Sequence, residues 1–158
     1  MLFSSIFGGR IVKVPIIESF NLNRFMGVWY EIARLDHPYE RGLERVTAHY
    51  NFTDKSHVAV LNQGFKSGNI KTSRSARLLP TTKPNYFKVY FGFPIGFAYR
   101  VAYIDKHYTV AVITGSRSNT LWFMARTPTL EREIKKQLEI FATELGFDTS
   151  KLIYTKQA

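Results

Sequence analysis

Between residues 28 and 126 the chain is a succession of eight short segments rich in β-branched and aromatic residues, closed off by Gly, Pro, Asn, Asp or Ser. They span 28–35, 45–53, 57–65, 70–79, 85–92, 97–104, 107–114 and 119–126. With hairpin-length connections they predict an all-β fold. Eight is the strand number that closes a small antiparallel up-and-down β-barrel around one ligand. Alternation is clearest in 45–53, where Val46, Ala48, Tyr50 and Phe52 share one face and Arg45, Thr47, His49 and Asn51 the other. Segment 119–126 is apolar on both faces, Trp122 and Met124 opposing Leu121, Phe123 and Ala125, so something must pack outside it. The cover is one predicted helix over 129–145, with Leu130, Ile134, Leu138, Phe141 and Leu145 on a single stripe. Thr127 or Thr129 is expected to cap it, Pro128 to suit its first turn and Gly146 to end it. Leu152–Thr155 then reads as a short final strand at the barrel's edge.

The rest of the composition narrows the function. At 158 residues, 45% hydrophobic and 15% aromatic, the chain has one domain's length and enough apolar content for one core. There is no cysteine, which excludes disulfides, thiolate metal sites and cysteine nucleophiles within this sequence. A net charge of +10 favours anionic partners, among them anionic lipids and acidic small molecules. The cations are scattered, with only short clusters such as Lys135-Lys136 and Arg74 with Arg77, so no nucleic-acid partner is expected. No apolar run approaches the ~20 residues of a membrane span. Residues 1–13 read as a leader or flexible segment in which Leu2, Phe3, Ile6 and Phe7 could lie on a membrane, and residues 14–158 as the folded domain.

Three segments carry a resemblance to a known family. Gly27-Val28-Trp29-Tyr30-Glu31-Ile32-Ala33-Arg34 resembles the GxWYEIAR motif of lipocalins. Asp105 with Tyr108 resembles their second block, spaced two residues wider than a plain TDY, and Leu121–Pro128 resembles the third, with Arg126 as its arginine. Residues 36–48 and Phe91-Gly92 point to the bacterial, outer-membrane-lipoprotein branch that includes apolipoprotein D. The resemblance covers roughly residues 14–158 and implies a ligand-binding calyx, an envelope location in periplasm or outer membrane, and the capacity to pair as a homodimer. It also implies that Trp29 and Arg126 meet at the closed end, the guanidinium on the indole face, as a structural rather than catalytic pair. Glu31, two residues after Trp29, should be drawn inward, where an unpaired carboxylate is costly, so it needs a partner or a raised pKa.

The same alternation selects the expected lining: Ala48, Tyr50, Val60, Asn62, Tyr90, Ala111, Ile113, Trp122 and Met124. Arg74 shares a face with Ile70, Thr72, Ala76 and Leu78. Inward, it would bind a carboxylate or phosphate head group; outward, it is a solvated arginine. The stretch Phe91–Phe97 is unusually apolar for a hairpin loop and suits a lid, a partner patch or a membrane-contact tip. Catalysis has no foothold: His37, His49, His57 and His107 show no metal-ligand spacing, and Gly115-Ser116-Arg117-Ser118 reads as a turn. Neither metal nor cofactor is expected. The expectation is a carrier of a fatty acid, lysophospholipid or similar amphiphile in envelope lipid maintenance. The alternative is a protein- or membrane-interaction module using the 91–97 loop around a filled barrel.

Overall fold

The computed structural model describes residues 8–54, 57–92 and 94–158. Leu2, Phe3, Ile6 and Phe7, named above, and residue 93 of the apolar stretch Phe91–Phe97 lie outside them. Eight strands close on themselves: β1 (Gly27–Arg34), β2 (Glu44–Phe52), β3 (Val58–Lys66), β4 (Ile70–Pro80), β5 (Tyr86–Tyr90), β6 (Phe97–Ile104), β7 (Val110–Thr114) and β8 (Leu121–Ala125). Each pairs antiparallel with its successor, and β1 pairs with both β8 and β2, so the barrel has no free edge there. β9 (Ile153–Tyr154) adds to the outside of β1, opposite Ala33 and Arg34.

β1 meets β2 only from Gly27 to Tyr30, and beyond that point the two strands part. The C-terminal tail fills the gap. Thr155 N–H donates to Ile32 O at 2.9 Å, Arg45 N–H to Lys156 O at 2.6 Å, and the Gln157 amide to the carbonyls of Glu31 and Val46 at 2.7 and 3.0 Å. These bonds satisfy backbone groups that a split seam would otherwise leave unpaired.

Two cores result, one on each side of the sheet. The inner one gathers the inward positions of every strand around Phe25, Trp29, Tyr50, Leu78, Phe87, Tyr99 and Ile113. The outer one holds Val110, Val112, Leu121, Phe123 and Ala125 under the helix residues Leu138 and Ala142. Val112, Phe123 and Ala142 are fully buried there, which explains why segment 119–126 is apolar on both faces. Val12 and Val14 belong to the outer core as well, so the chain packs on the barrel on both sides of the 13/14 boundary expected from the sequence.

Among the described residues one short helix, α1 (Leu22–Phe25), precedes that core's helix, and the long one, α2, runs Arg132–Leu145 rather than from 129. Glu131 is its N-cap, with no side-chain cap bond. Thr127 Oγ1 instead donates to Thr129 O at 2.7 Å, holding both threonines and Pro128 in the turn that precedes the helix. Its other end is as expected. Gly146 sits at φ +106°, and Phe147 N–H reaches back to Ala142 O at 3.0 Å while the buried Phe147 ring joins the outer core. β7 starts at Val110, three residues later than its segment, because the Asp105 carboxylate accepts from the N–H groups of Thr109 and Val110 and holds the preceding turn.

Candidate functional site

The barrel's two ends carry different chemistry. At the closed end, Trp29 is fully buried and the Arg126 Cζ lies 3.9 Å from its ring centroid. Every side-chain nitrogen of this pair makes a hydrogen bond. Trp29 Nε1 donates to Phe25 O at 2.8 Å; Arg126 Nε, Nη1 and Nη2 donate to the carbonyls of Tyr108, Val28 and Arg24 at 3.1, 2.9 and 2.9 Å. The Tyr108 hydroxyl in turn accepts from Asn21 N–H at 2.8 Å. Above them Phe25, Tyr50, Phe87 and Tyr99 are linked by ring contacts of 5.1 to 6.5 Å. The two phenols meet at 2.7 Å. Burial pushes the Tyr50 hydroxyl up to about 12 and Tyr99 in the same direction, so both stay neutral in an apolar interior and one donates to the other.

The open end is crossed by the β1–β2 loop, residues 35–43. Arg74 projects from the same face of β4 as the inner-core residues Ala76 and Leu78, and its guanidinium lies between two rings, 3.8 Å from Tyr39 and 4.1 Å from Phe91. Among the described residues it has no ion-pair or hydrogen-bond acceptor. His37, on the same loop, is pushed down in pKa chiefly by burial, and the neighbouring Arg74 charge acts in the same direction.

Beside this mouth sits a buried acid pair. Glu31 is 1% exposed. It accepts from Arg34 Nη1 at 2.9 Å and from the Thr155 hydroxyl. Arg34 also donates through Nη2 to Glu40 O at 2.9 Å, and Trp122 Nε1 donates to Glu40 Oε1 at 2.7 Å. The second Glu40 oxygen is buried with no partner of its own. Burial raises the Glu31 pKa well above its ordinary value, and the Glu40 carboxyl raises it further by hydrogen bonding and by its charge; Thr155 and Arg34 act the other way. A proton taken up by Glu31 supplies the donor that two facing carboxylates lack, which is the physical cause of that upward shift. The loop over the mouth is thereby tied to β1, β8 and the C-terminal tail through one polar cluster.

Comparison with known proteins agrees with this architecture. Residues 20–157 match the lipocalin-like domain family. The chain belongs to the lipocalin family. Outer membrane lipoprotein Blc of Vibrio cholerae is 39% identical over 153 residues, covering 94% of this chain and 90% of that protein. Its counterpart in Citrobacter freundii is 37% identical over 147 residues, covering 91% and 83%. Among solved structures, lobster apocrustacyanin A1 superposes with a TM-score of 0.78 at 18% identity, covering 95% of this chain and 89% of that one, a likeness of fold.

In this lipocalin the structure sorts the expected lining into tiers. Ala48, Tyr50, Val60, Ala111, Ile113 and Met124 all belong to the inner core and are at most 6% exposed. Asn62, Arg74 and Trp122 form a partly exposed tier nearer the mouth, with Asn62 paired opposite Arg74 across β3 and β4. Tyr90 corrects the expectation: it lies on the face of β5 opposite the inner-core residues Phe87 and Val89. Its ring packs against Gly96, where an added Cβ would come within 2.6 Å of it. β5 carries aromatics on both faces, so its alternation did not say which side was inner. Tyr99, Tyr39, Phe91 and Glu40 were not foreseen in the site. Tyr99 was findable, since Phe97, Tyr99 and Val101 alternate on β6; Tyr39 and Glu40 lie in an aperiodic loop. Among the described residues no cluster of His, Cys, Asp and Glu is placed to hold a metal.

Proposed function

We propose that this lipocalin carries a single-chain anionic amphiphile, a fatty acid or lysophospholipid, in lipid maintenance at the cell envelope. Arg74 carries the reading: an inward guanidinium, fixed between Tyr39 and Phe91, whose N–H donors meet no acceptor among the described residues. Such a group suits a carboxylate or phosphate, with which it forms two parallel charge-assisted bonds. Trp122, Met124, Val60 and Ile113 offer the chain an apolar wall beneath it, and burial contributes about 0.8 kcal/mol per CH₂. Family membership supports a hydrophobic ligand, and the names of the bacterial relatives support the envelope. The inner tier is already nearly closed to solvent, so a chain enters by displacing the loop at 35–43 and by rotation of the side chains below it.

Tryptophan quenching of the lipid-stripped protein tests this, with titration by a fatty acid, a lysophospholipid and a neutral alkyl alcohol. Saturable quenching by the two anionic amphiphiles that falls away in Trp122→Phe is expected, with Trp29 as the unperturbed reference. Arg74→Gln should weaken the anionic ligands about tenfold, the worth of one charged hydrogen bond, and leave the alcohol unchanged. Equal losses for all three would remove Arg74 from head-group recognition. Quenching by none of them would select the second reading, a filled barrel acting through its outer surface, which the near-complete burial of the inner tier favours.

A further inference from the structure

The turns at the open end are 35–43, 67–69, 91–96 and 115–120, since each joins two strands at the end opposite the Trp29–Arg126 pair. The five most exposed large apolar side chains among the described residues all belong to that end. They are Ile11 (73%), Ile95 (67%), Tyr39 (66%), Ile70 (61%) and Phe97 (58%). Ile11 reaches it by bridging to Arg117 in the β7–β8 turn; Ile70 and Phe97 open β4 and β6 next to their turns. At the closed end the corresponding exposures are lower, 45% at Ile16, which lies beside Asn85 of the β4–β5 turn, 39% at Val28 and 38% at Phe52. Large apolar side chains gathered at one pole, where random placement would scatter them, mark a contact surface.

The charges around that pole identify what it contacts. Arg10, Arg41, Arg45, Lys66, Lys71 and Arg117 stand on it or on the strand ends beneath, against Asp36, Glu40 and Glu44; Asp36 is already paired with Arg41 at 2.8 Å, and Glu40 is bonded to Trp122. The excess is positive, as is the whole chain at +10. Two copies meeting face to face would bring like charges together. A lipid surface rich in anionic head groups would instead accept both the cations and the apolar tips. We propose that the open end of the barrel docks on an anionic bilayer, with Tyr39, Ile70, Ile95 and Phe97 entering the interfacial layer and the surrounding cations contacting head groups. This orientation turns the mouth toward the membrane. The inference does not depend on what the barrel carries.

Flotation of the full chain with vesicles tests it, using phosphatidylcholine alone and an equal mixture of phosphatidylcholine and phosphatidylglycerol, at low and high salt. The expected result is binding to the mixed vesicles, at least about tenfold weaker on phosphatidylcholine alone and weakened by salt. The triple variant Ile70→Ser, Ile95→Ser, Phe97→Ser should lose about tenfold or more. Ile140→Ser, on the exposed side of α2, should bind as the parent does. All four positions are solvent-exposed, and matching thermal melts would exclude unfolding as the cause. The proposal is overturned if the parent does not float with the mixed vesicles, if the triple variant floats equally well, or if Ile140→Ser loses as much. Sedimentation velocity supplies a further arm: a parent dimer that the triple variant abolishes, without a change in flotation, would make this pole a self-association face instead.

Discussion

The two ends of the barrel use the same device, an arginine stacked on aromatic rings, with opposite results. Arg126 on Trp29 has each of its three nitrogens bonded to a backbone carbonyl, which fixes the guanidinium in the floor. Arg74, between Tyr39 and Phe91, has the stack and none of the acceptors among the described residues. A saturated guanidinium locks an end shut; an unsaturated one keeps its binding capacity for a partner that arrives later. The same contrast holds around them, since the floor is sealed by Phe25 and Tyr108 while the mouth is bridged by a loop tied down through two acids.

Removing the saturated arginine should have the largest effect. Arg126→Ala deletes a cation–π contact and three charge-assisted bonds by which one side chain joins α1, β1 and the β6–β7 turn. The carbonyls it leaves lie near the surface and can rehydrate, so the expected cost is about 2–3 kcal/mol. Urea unfolding with an unchanged m-value would show it; a loss below about 0.5 kcal/mol would mean that the floor is held by apolar packing alone.

The acid pair at the mouth gives a pH signature that the floor lacks. Glu31 has a folded pKa raised above its usual 4.5, so the folded state holds a proton that the unfolded chain gives up. Its stabilising contribution is therefore complete below that usual value and is lost as pH rises toward and through the raised folded value, with a slope of at most about 1.4 kcal/mol per pH unit. Glu31→Gln keeps an N–H donor toward Glu40 and cannot ionise. It should flatten this stretch of the stability profile and be most favourable, relative to the parent, at the alkaline side. Parallel profiles for parent and variant would show that Glu31 carries no such proton.

How far these sites could be read in advance follows the range of the interactions that build them. Strand count, barrel closure and the inward set Ala48, Tyr50, Val60, Ile113 and Met124 were legible because a period of two is a local property, repeated on every strand. The floor was legible through the resemblance, since Gly27, Trp29, Glu31, Asp105, Tyr108 and Arg126 lie in recognisable motifs. Helix α2 was read from its stripe, but its start was misplaced because Thr127 spends its hydroxyl on Thr129 O rather than on a cap. The mouth was not legible. Its decisive contacts join Glu40 to Trp122 across 82 positions and Thr155 to Glu31 across 124, from segments with no periodicity of their own. For Arg74 alternation supplied the face, while the two rings that fix it come from two different loops, 35–43 and 91–96.

One consequence of that long-range wiring is measurable in the loop itself. Trp122→Phe keeps the ring's bulk and removes the Nε1 donor to Glu40, at an expected cost of about 1 kcal/mol. The loss should be local: amide exchange should accelerate at Glu40 and Leu43, whose N–H groups are held by His37 O and Glu40 O at 3.0 and 2.9 Å, and stay unchanged at the floor. Acceleration spread evenly over the barrel would show instead that Trp122 supports the whole inner core.

The smallest effect belongs to the arginine that matters most for ligand. Arg74→Ala removes two stacking contacts at a partly exposed site and leaves no carboxylate or carbonyl deserted, because none among the described residues is engaged. About 0.5–1 kcal/mol is the expected cost, well under that of Arg126→Ala in the same urea experiment. Equal losses at the two positions would mean that Arg74 is bonded at the mouth as thoroughly as Arg126 is at the floor, and would remove the physical ground for assigning it a head group. A near-silent Arg74→Ala fold with an altered ligand preference is the outcome that separates a residue kept for binding from one kept for structure.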